Sequence, residues 1–423
     1  MRLPLAAALL ALAVFPAGAA ARAGEPDHAF GRRGTVTLKA TGADAVGGAV
    51  RVLSGHRVLA GGAAAGKFVV VRLRASGTLD SRFGTRGQVV PALPGTTLDG
   101  VRALAVARDG KIVAAGTLRL ADGTTRIAAL RLTRGGKIDA TFGAGYGYVL
   151  AGPPGAELGA AAIDRGGNVL LAGSGPGGVP LVTRLLPDGT PDPAFAFDPG
   201  TLTGRVTGIL VRPESLTFSV ASGAAAFTAV RVAMSGALDP TFAGGVVSVP
   251  VGSGAGAGLG AVAIRQASSG TVLLAGTGLT GSGRPQGVVL RLRANGTVDT
   301  RFGSRGVAVV ARAGRDIRIT GLARDARGRI LLAGAGAPPE SVVVRLRASG
   351  RRDGTFGNGG LTYPLLGRPP GGDPIFTTAD AIDADGAHPV IAGSAAGPGV
   401  LSRGGGAGTV YGGRFALTVS RLR

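Results

Sequence analysis

The chain has 423 residues, 45% of them apolar, with 78 glycines, 25 prolines and no cysteine. The absence of cysteine excludes disulfides, thiolate metal sites and a lipid-modified cysteine at a processed N-terminus. Lysine and arginine total 46 against 24 acidic residues, for a net charge of +22, which favours anionic partners.

Residues 1–23 stand apart. Arg2 gives a short basic start, Leu3 to Ala20 is apolar, and Ala21-Arg22-Ala23 fits a small-residue cleavage site. The segment reads as a secretory signal peptide. A transmembrane anchor is the competing reading, disfavoured by the shortness of the apolar run. No later run is long and apolar enough to span a bilayer. The mature chain is therefore expected to be secreted, extracellular or associated with the cell surface. Export without disulfides implies that closure of the fold supplies its stability.

One phrase recurs through the rest. An arginine stands at 72, 131, 184, 231, 291 and 345, and an aspartate follows eight residues later at 80, 139, 192, 239, 299 and 353. A glycine precedes each aspartate by three positions, and a phenylalanine follows it by three, as in Gly136, Asp139 and Phe142. A seventh copy is divided between the chain ends: Gly24, Asp27, Phe30 and Gly31 supply its second half and Arg421-Leu422 its first. Periods of this length mark one supersecondary unit used many times.

The best-preserved unit shows what is repeated. A short apolar stretch at Gln88-Val89-Val90 and a loop from Pro91 to Thr97 lead to an apolar segment, Val101 to Ala107. Asp109-Gly110 is a hairpin signal, because its turn type needs positive φ at both central positions. Lys111 to Ala115 and Ile127 to Leu132 complete four short strands, and no segment carries a sustained helical period. In the fourth unit Pro213-Glu214-Ser215 replaces the hairpin turn, and Ala196 and Ala243 replace the glycine after Phe195 and Phe242. Looser geometry without loss of the unit is expected there.

These features predict an all-β fold: a seven-bladed β-propeller of four-stranded blades, closed by pairing of the N- and C-terminal segments. The propeller is expected to span residues 24–423, in units of about 27–79, 80–138, 139–191, 192–238, 239–298, 299–352 and 353–423. The repeated phrase reads as the blade-to-blade connector, with arginine and aspartate pairing around a turn and phenylalanine plugging the junction. A residue that every unit carries answers a need of every unit, so function is expected on the loops that differ.

The run Asp109-Gly110-Lys111-Ile112-Val113-Ala114-Ala115-Gly116, with Arg131-Leu132, Gly136, Asp139 and Phe142-Gly143, resembles the bacterial family of secreted delta-60 repeat proteins. The resemblance covers nearly the whole mature chain. It implies a β-propeller of this repeat length and carries no catalytic motif or established activity.

Chemistry is sparse. Histidine occurs only at 28, 56 and 388, without spacing for a zinc site. Asp99, Asp122, Asp316 and Asp373 lie off the repeat pattern and are the candidates for a carboxylate pair. Asp380, Asp383 and Asp385 come closest to a calcium-type loop and read instead as a turn before a hairpin. Gly173 to Gly178 matches a dinucleotide pattern formally, but a strand and not a helix follows it. No catalytic, cofactor or metal residue is assigned. The loops Thr117–Arg126, Thr277–Gln286, Leu366–Phe376 and Ser394–Gly413 break the pattern. They are poor in aromatics, which weakens a sugar-binding reading. Nucleic acid is disfavoured by the 4% aromatic content. The chain reads as a monomeric, non-enzymatic binding or structural module with an anionic wall or surface polymer as partner, although arginine also serves as its default solubilising residue. A hydrolase or lyase with loop carboxylates in a central funnel is the alternative.

Overall fold

A computed structural model of the chain describes residues 22–38, 45–255, 260–267, 270–312, 314–336, 340–364, 376–396 and 415–423. All but two residues of the expected signal peptide, and Asp373, lie outside them. The loops Leu366–Phe376 and Ser394–Gly413 fall almost wholly outside them.

Seven antiparallel sheets form the molecule. Blade 1 contains Ala45–Leu53, Arg57–Ala64, Lys67–Leu73 and Gln88–Val89. Blade 2 contains Thr96–Val106, Ile112–Arg119, Thr125–Leu132 and Tyr148–Ala151. Blades 4, 5 and 6 repeat this meander, opening at Arg205–Val211, Gly260–Gln266 and Arg318–Arg324. The first strands contact one another in sequence around a central channel. Apolar side chains of successive sheets interleave between them, as where Phe83 packs with Ile112, Ala128 and Leu130 of the next blade.

The ring closes as its divided phrase predicts. Blade 7 takes Phe376–Asp385, His388–Ala396 and Phe415–Arg421 from the C-terminal end and Thr35–Leu38 from the N-terminal end. Thr35 pairs with Ser420 and Leu38 with Leu417. Arg421 Nε donates to Asp27 Oδ2 at 2.7 Å, matching Arg131 Nε to Asp139 Oδ2 at 2.7 Å. The N- and C-terminal strands are thereby tied into one sheet, with Thr35–Leu38 as its outer strand.

The phrase itself corrects the connector reading. It joins the third strand of a blade to the fourth strand of the same blade, as between Thr125–Leu132 and Tyr148–Ala151. The crossing to the next blade happens at the opposite end, after the fourth strand. The phrase still binds neighbours. Gly84 N–H donates to Gly135 C=O in the next phrase at 2.8 Å, and Arg72 Nη1 to Arg134 C=O at 2.6 Å. Equivalent bonds run from Gly31 to Ser76, Gly143 to Asp188 and Gly303 to Ser349. The phrase is thus an intra-blade turn whose outer face is laced to the following turn.

Blade 3 is the exception. It has three strands, Glu157–Ile163, Val169–Ser174 and Pro180–Leu185, and residues 194–204 that would supply a fourth form none. Pro199 within this stretch lacks a ladder donor. Phe195, Phe197 and Leu202 pack instead on the blade and its neighbour, with the Phe197 ring edge-on to Phe218 at 5.0 Å.

Candidate binding site at the channel mouth

In an antiparallel meander the turns alternate ends. The hairpins between first and second strands therefore share one face with the repeated phrases. The loops between second and third strands, and the crossings between blades, share the other.

On the first face the phrases form a girdle. Arginine Nε donates to aspartate Oδ2 at 2.8, 2.7, 2.6, 2.8, 2.8 and 2.7 Å for Arg72, Arg131, Arg184, Arg291, Arg345 and Arg421. Each guanidinium also lies over its phenylalanine, 4.6 Å from the Phe142 centroid for Arg131, a cation–π contact. The second carboxylate oxygen accepts a backbone N–H two residues on, as from Thr141 at 3.2 Å. Burial alone would raise the Asp139 carboxyl. The Thr141 hydroxyl, Lys111, the Thr141 N–H and Arg131 overcome it and hold the group down at about 2. Asp27, Asp80 and Asp353 are lowered in the same way, against the same burial.

Blade 4 departs from the girdle. Arg231 Nε donates to Thr217 Oγ1 at 3.0 Å and makes no ion pair with Asp239. Thr217 lies across the strand pair from Arg231. Val113, Leu170 and Leu273 hold that place in other blades. A hydroxyl beneath the guanidinium captures a bond that an apolar residue leaves to the aspartate. The departure arises at Thr217 in the second strand and not at the altered hairpin turn or at Ala196 and Ala243, where the sequence predicts looser geometry.

The centre of this face is a cavity of about 720 Å³ at the channel mouth. Its lining includes six arginines, Arg51, Arg57, Arg72, Arg108, Arg134 and Arg265, against two aspartates, Asp109 and Asp383. A shallower recess beside it adds Arg165 and Arg212 with Asp164. The carboxylates are already engaged. Asp109 accepts Lys111 N–H at 2.9 Å. Asp164 accepts the backbone N–H groups of Gly166 and Asn168 and the Asn168 side chain. Asp383 accepts Val52 N–H and Ala384 N–H, each at 2.9 Å. The mouth is therefore a concave basic surface whose acidic groups are committed to its own backbone.

The sequence candidates lie elsewhere. Asp122 holds a loop through Thr124 N–H and hydroxyl at 2.9 and 2.7 Å. Asp316 lies 3.7 Å from Arg284 on the opposite face. The side chain of Asp99 is outside the described residues. Asp380, Asp383 and Asp385 lie within the strand Phe376–Asp385 rather than in a turn. They diverge: Asp380 accepts from Thr378 at 2.9 Å, Asp383 faces Arg51 at 3.9 Å, and Asp385 pairs with His56 at 2.6 Å. Burial raises the Asp380 carboxyl to about 6, against the hydroxyls of Thr378 and Ser394 and the charge of Arg102. No group of three or more His, Asp or Glu that could hold a metal ion occurs among the described residues. No helix among them is long and apolar enough to cross a membrane. The Gly173–Gly178 run forms a short turn before the strand Pro180–Leu185, without a helix to receive a phosphate.

Arg51 and Arg265 were not singled out by sequence reasoning, and Asp383 only as part of a turn. Each inner strand carries a β-bulge, and these three stand three residues beyond it. Ala105, Ala162, Leu210 and Ala323 hold the same place in the other four. Three charges in an otherwise small or apolar column are the signal that aligning the units on their bulges would have given.

A family model described as "Domain of unknown function (DUF5122) beta-propeller" matches residues 107–142 and 267–302. Both matches run from the first hairpin of a blade to the phenylalanine of its phrase, and they support a β-propeller repeat family. No curated protein matches the chain. Among solved structures, it is similar to a catalytically inactive virginiamycin B lyase from Staphylococcus aureus with quinupristin. That match has 12% identity and a TM-score of 0.47, covering 91% of this chain and 98% of that one. The WD40 β-propeller domain of Doa1 shares 8% identity at a TM-score of 0.47, over 91% of this chain and 95% of that one. The PQQ-bound aldose sugar dehydrogenase from Streptomyces coelicolor shares 14% at a TM-score of 0.35, over 92% and 98%. The blade count rests on this chain's own strand pairing.

Proposed function

We propose that the chain is a secreted, non-enzymatic β-propeller that binds anionic polymers at the cell surface through its channel-mouth face. The observation that carries this reading is the imbalance at the mouth. Arginines outnumber aspartates there, and the aspartates are spent on backbone donors and nearby arginines. A concave surface of one sign concentrates field and draws in the opposite charge. Guanidinium groups suit carboxylate and phosphate oxygens by their planar, forked donors.

The test is binding to poly(glycerol phosphate) and polygalacturonate, followed across a salt gradient. Affinity should fall steeply between about 50 and 500 mM salt, because rim charges are screened within about 10 Å at 0.1 M. The double variant Arg108→Gln, Arg165→Gln should weaken binding to both polymers. Binding that ignores salt, or no binding to either polymer, would sink the proposal.

The hydrolase or lyase reading keeps one observation in its favour, the raised Asp380 carboxyl. Turnover of polygalacturonate that is lost in Asp380→Asn would favour it over simple binding.

A further inference from the structure

We propose that the cavity at the channel mouth is a small-molecule site for an amphipathic anion. Its carboxylate or phosphate head group would be held between Arg51 and Arg265, and its apolar body would lie against Ala162, Ile163 and Leu210. The site shares the basic lining on which the polymer reading draws, but its ligand is a small molecule whose head group needs only Arg51 and Arg265.

The charge arrangement asks for an anion. Arg265 donates Nη1–H to Ile264 C=O at 2.9 Å, and no carboxylate lies within 4.0 Å of it among the described residues. Arg51 donates Nε–H to Leu104 C=O at 3.0 Å and reaches Asp383 only at 3.9 Å. Asp383 already accepts two backbone N–H groups. Two guanidiniums thus share one committed carboxylate, leaving one positive charge uncompensated in a crowded channel. Burial, reinforced by the like charge of Arg51 and opposed by Asp383, pushes Arg265 down to about 10. It stays cationic at neutral pH and lines the cavity, where a bound anion would supply the missing counter-charge.

The rest of the lining asks for an apolar body. Arg265, Asp383 and Arg51 belong to blades 5, 7 and 1. Ala162 and Ile163 on blade 3 and Leu210 on blade 4 line the same cavity across the ring. A volume of about 720 Å³ lies in the range of sites for small organic ligands, which combine apolar walls with a few convergent polar groups. A long polymer has no use for an apolar wall inside the channel, whereas a short amphiphile uses both sides.

Calorimetry with octanoate, octyl phosphate, octanol and acetate tests the assignment. At least one of the two amphiphilic anions should bind. Octanol and acetate should bind about tenfold more weakly or not at all, since each lacks one half of the recognition. Arg265→Gln should weaken the preferred anion by about tenfold or more, while Arg165→Gln, which lies outside the cavity lining, changes it by less than about twofold. Should Arg265→Gln fail to fold, Ala162→Phe fills the apolar side and should abolish binding with the arginines intact. Failure of both amphiphilic anions to bind would overturn the proposal, as would acetate binding as tightly as the preferred anion. Undiminished binding in Arg265→Gln or in Ala162→Phe would overturn it as well. Binding of octanoate without binding of any polymer would retire the rim reading and leave this one standing.

Discussion

The girdle and the channel arc are built from the same residue types and do opposite things with them. In the girdle each of six arginines has its own aspartate, a phenylalanine face and, in five of them among the described residues, a carbonyl of the next turn. Charge there is neutralised locally and repeated, so it specifies the ring. In the arc Arg51 and Arg265 share Asp383, whose oxygens already serve backbone donors. Charge there occurs once and is left over. The difference teaches that arginine in this chain is structural where it is matched and available where it is not.

The largest effects should come from breaking a matched unit. Arg131→Ala leaves the buried Asp139 to Lys111 and Thr141 and should cost about 2–3 kcal/mol in urea denaturation. Arg231→Ala should cost less, about 1–2 kcal/mol, because its Nε bonds a neutral hydroxyl rather than an aspartate. Equal losses would show that the Arg–Asp pair is not what makes the girdle strong. Gly136→Ala tests the lacing. Gly136 has φ +81°, and a Cβ there would lie 2.7 Å from Gly84 N in the neighbouring phrase. Strain and displacement together should cost about 2–3 kcal/mol, seen as a lower midpoint with an unchanged urea slope.

The pH dependence separates matched from unmatched carboxylates. Asp139 is held at about 2, so its native form binds fewer protons than the unfolded chain. That contribution is present above about pH 4 and is lost as pH falls toward 2. Asp380 has the opposite sign. Its carboxyl is raised to about 6, so the native state binds more protons, and stability falls as pH rises from about 4 to 6. Asp380→Asn should remove that fall and stabilise the protein at pH 7 by about 1–3 kcal/mol. Denaturation midpoints from pH 3 to 8 check both slopes. A variant profile that still falls between pH 4 and 6 would assign the fall to another group.

Much of the girdle was legible because repetition exposes it. Arginine, glycine, aspartate and phenylalanine recur at fixed offsets, and the divided seventh copy required Arg421 to meet Asp27. The phase of the blades was not legible. A closed ring looks the same wherever its repeat is cut, so Gln88–Val89 was grouped with the strands that follow it and instead pairs with Val70 and Val71 of the blade before. The detour of Arg231 depends on Thr217, fourteen residues away, where a hydroxyl in a strand looks ordinary. Asp380, Asp383 and Asp385 looked like a turn because three aspartates in six residues are rare in strands. Inner strands edge a polar channel, so their charged residues need not be solvated on the outside. The arc stayed hidden for the same reason: a residue that occurs once gives no period, and only the ring brings Arg51 near Asp383, 332 positions later.

The smallest expected effect on stability gives the sharpest contrast. Arg265→Gln removes a guanidinium that no carboxylate neutralises within ion-pair distance, whose nearest charged influences are Arg51, which opposes it, and Asp383, which favours it. The lost bond to Ile264 C=O and the relieved repulsion work against each other, and the residual change should lie within about 1 kcal/mol of zero. The same substitution in the girdle would cost several times more, although Arg131 and Arg265 both occur on strands. If Arg265→Gln destabilises the fold as Arg131→Ala does, the arc is another structural tie. If stability holds while octanoate binding is lost, Arg265 is maintained for a ligand, since nothing in the fold requires its charge.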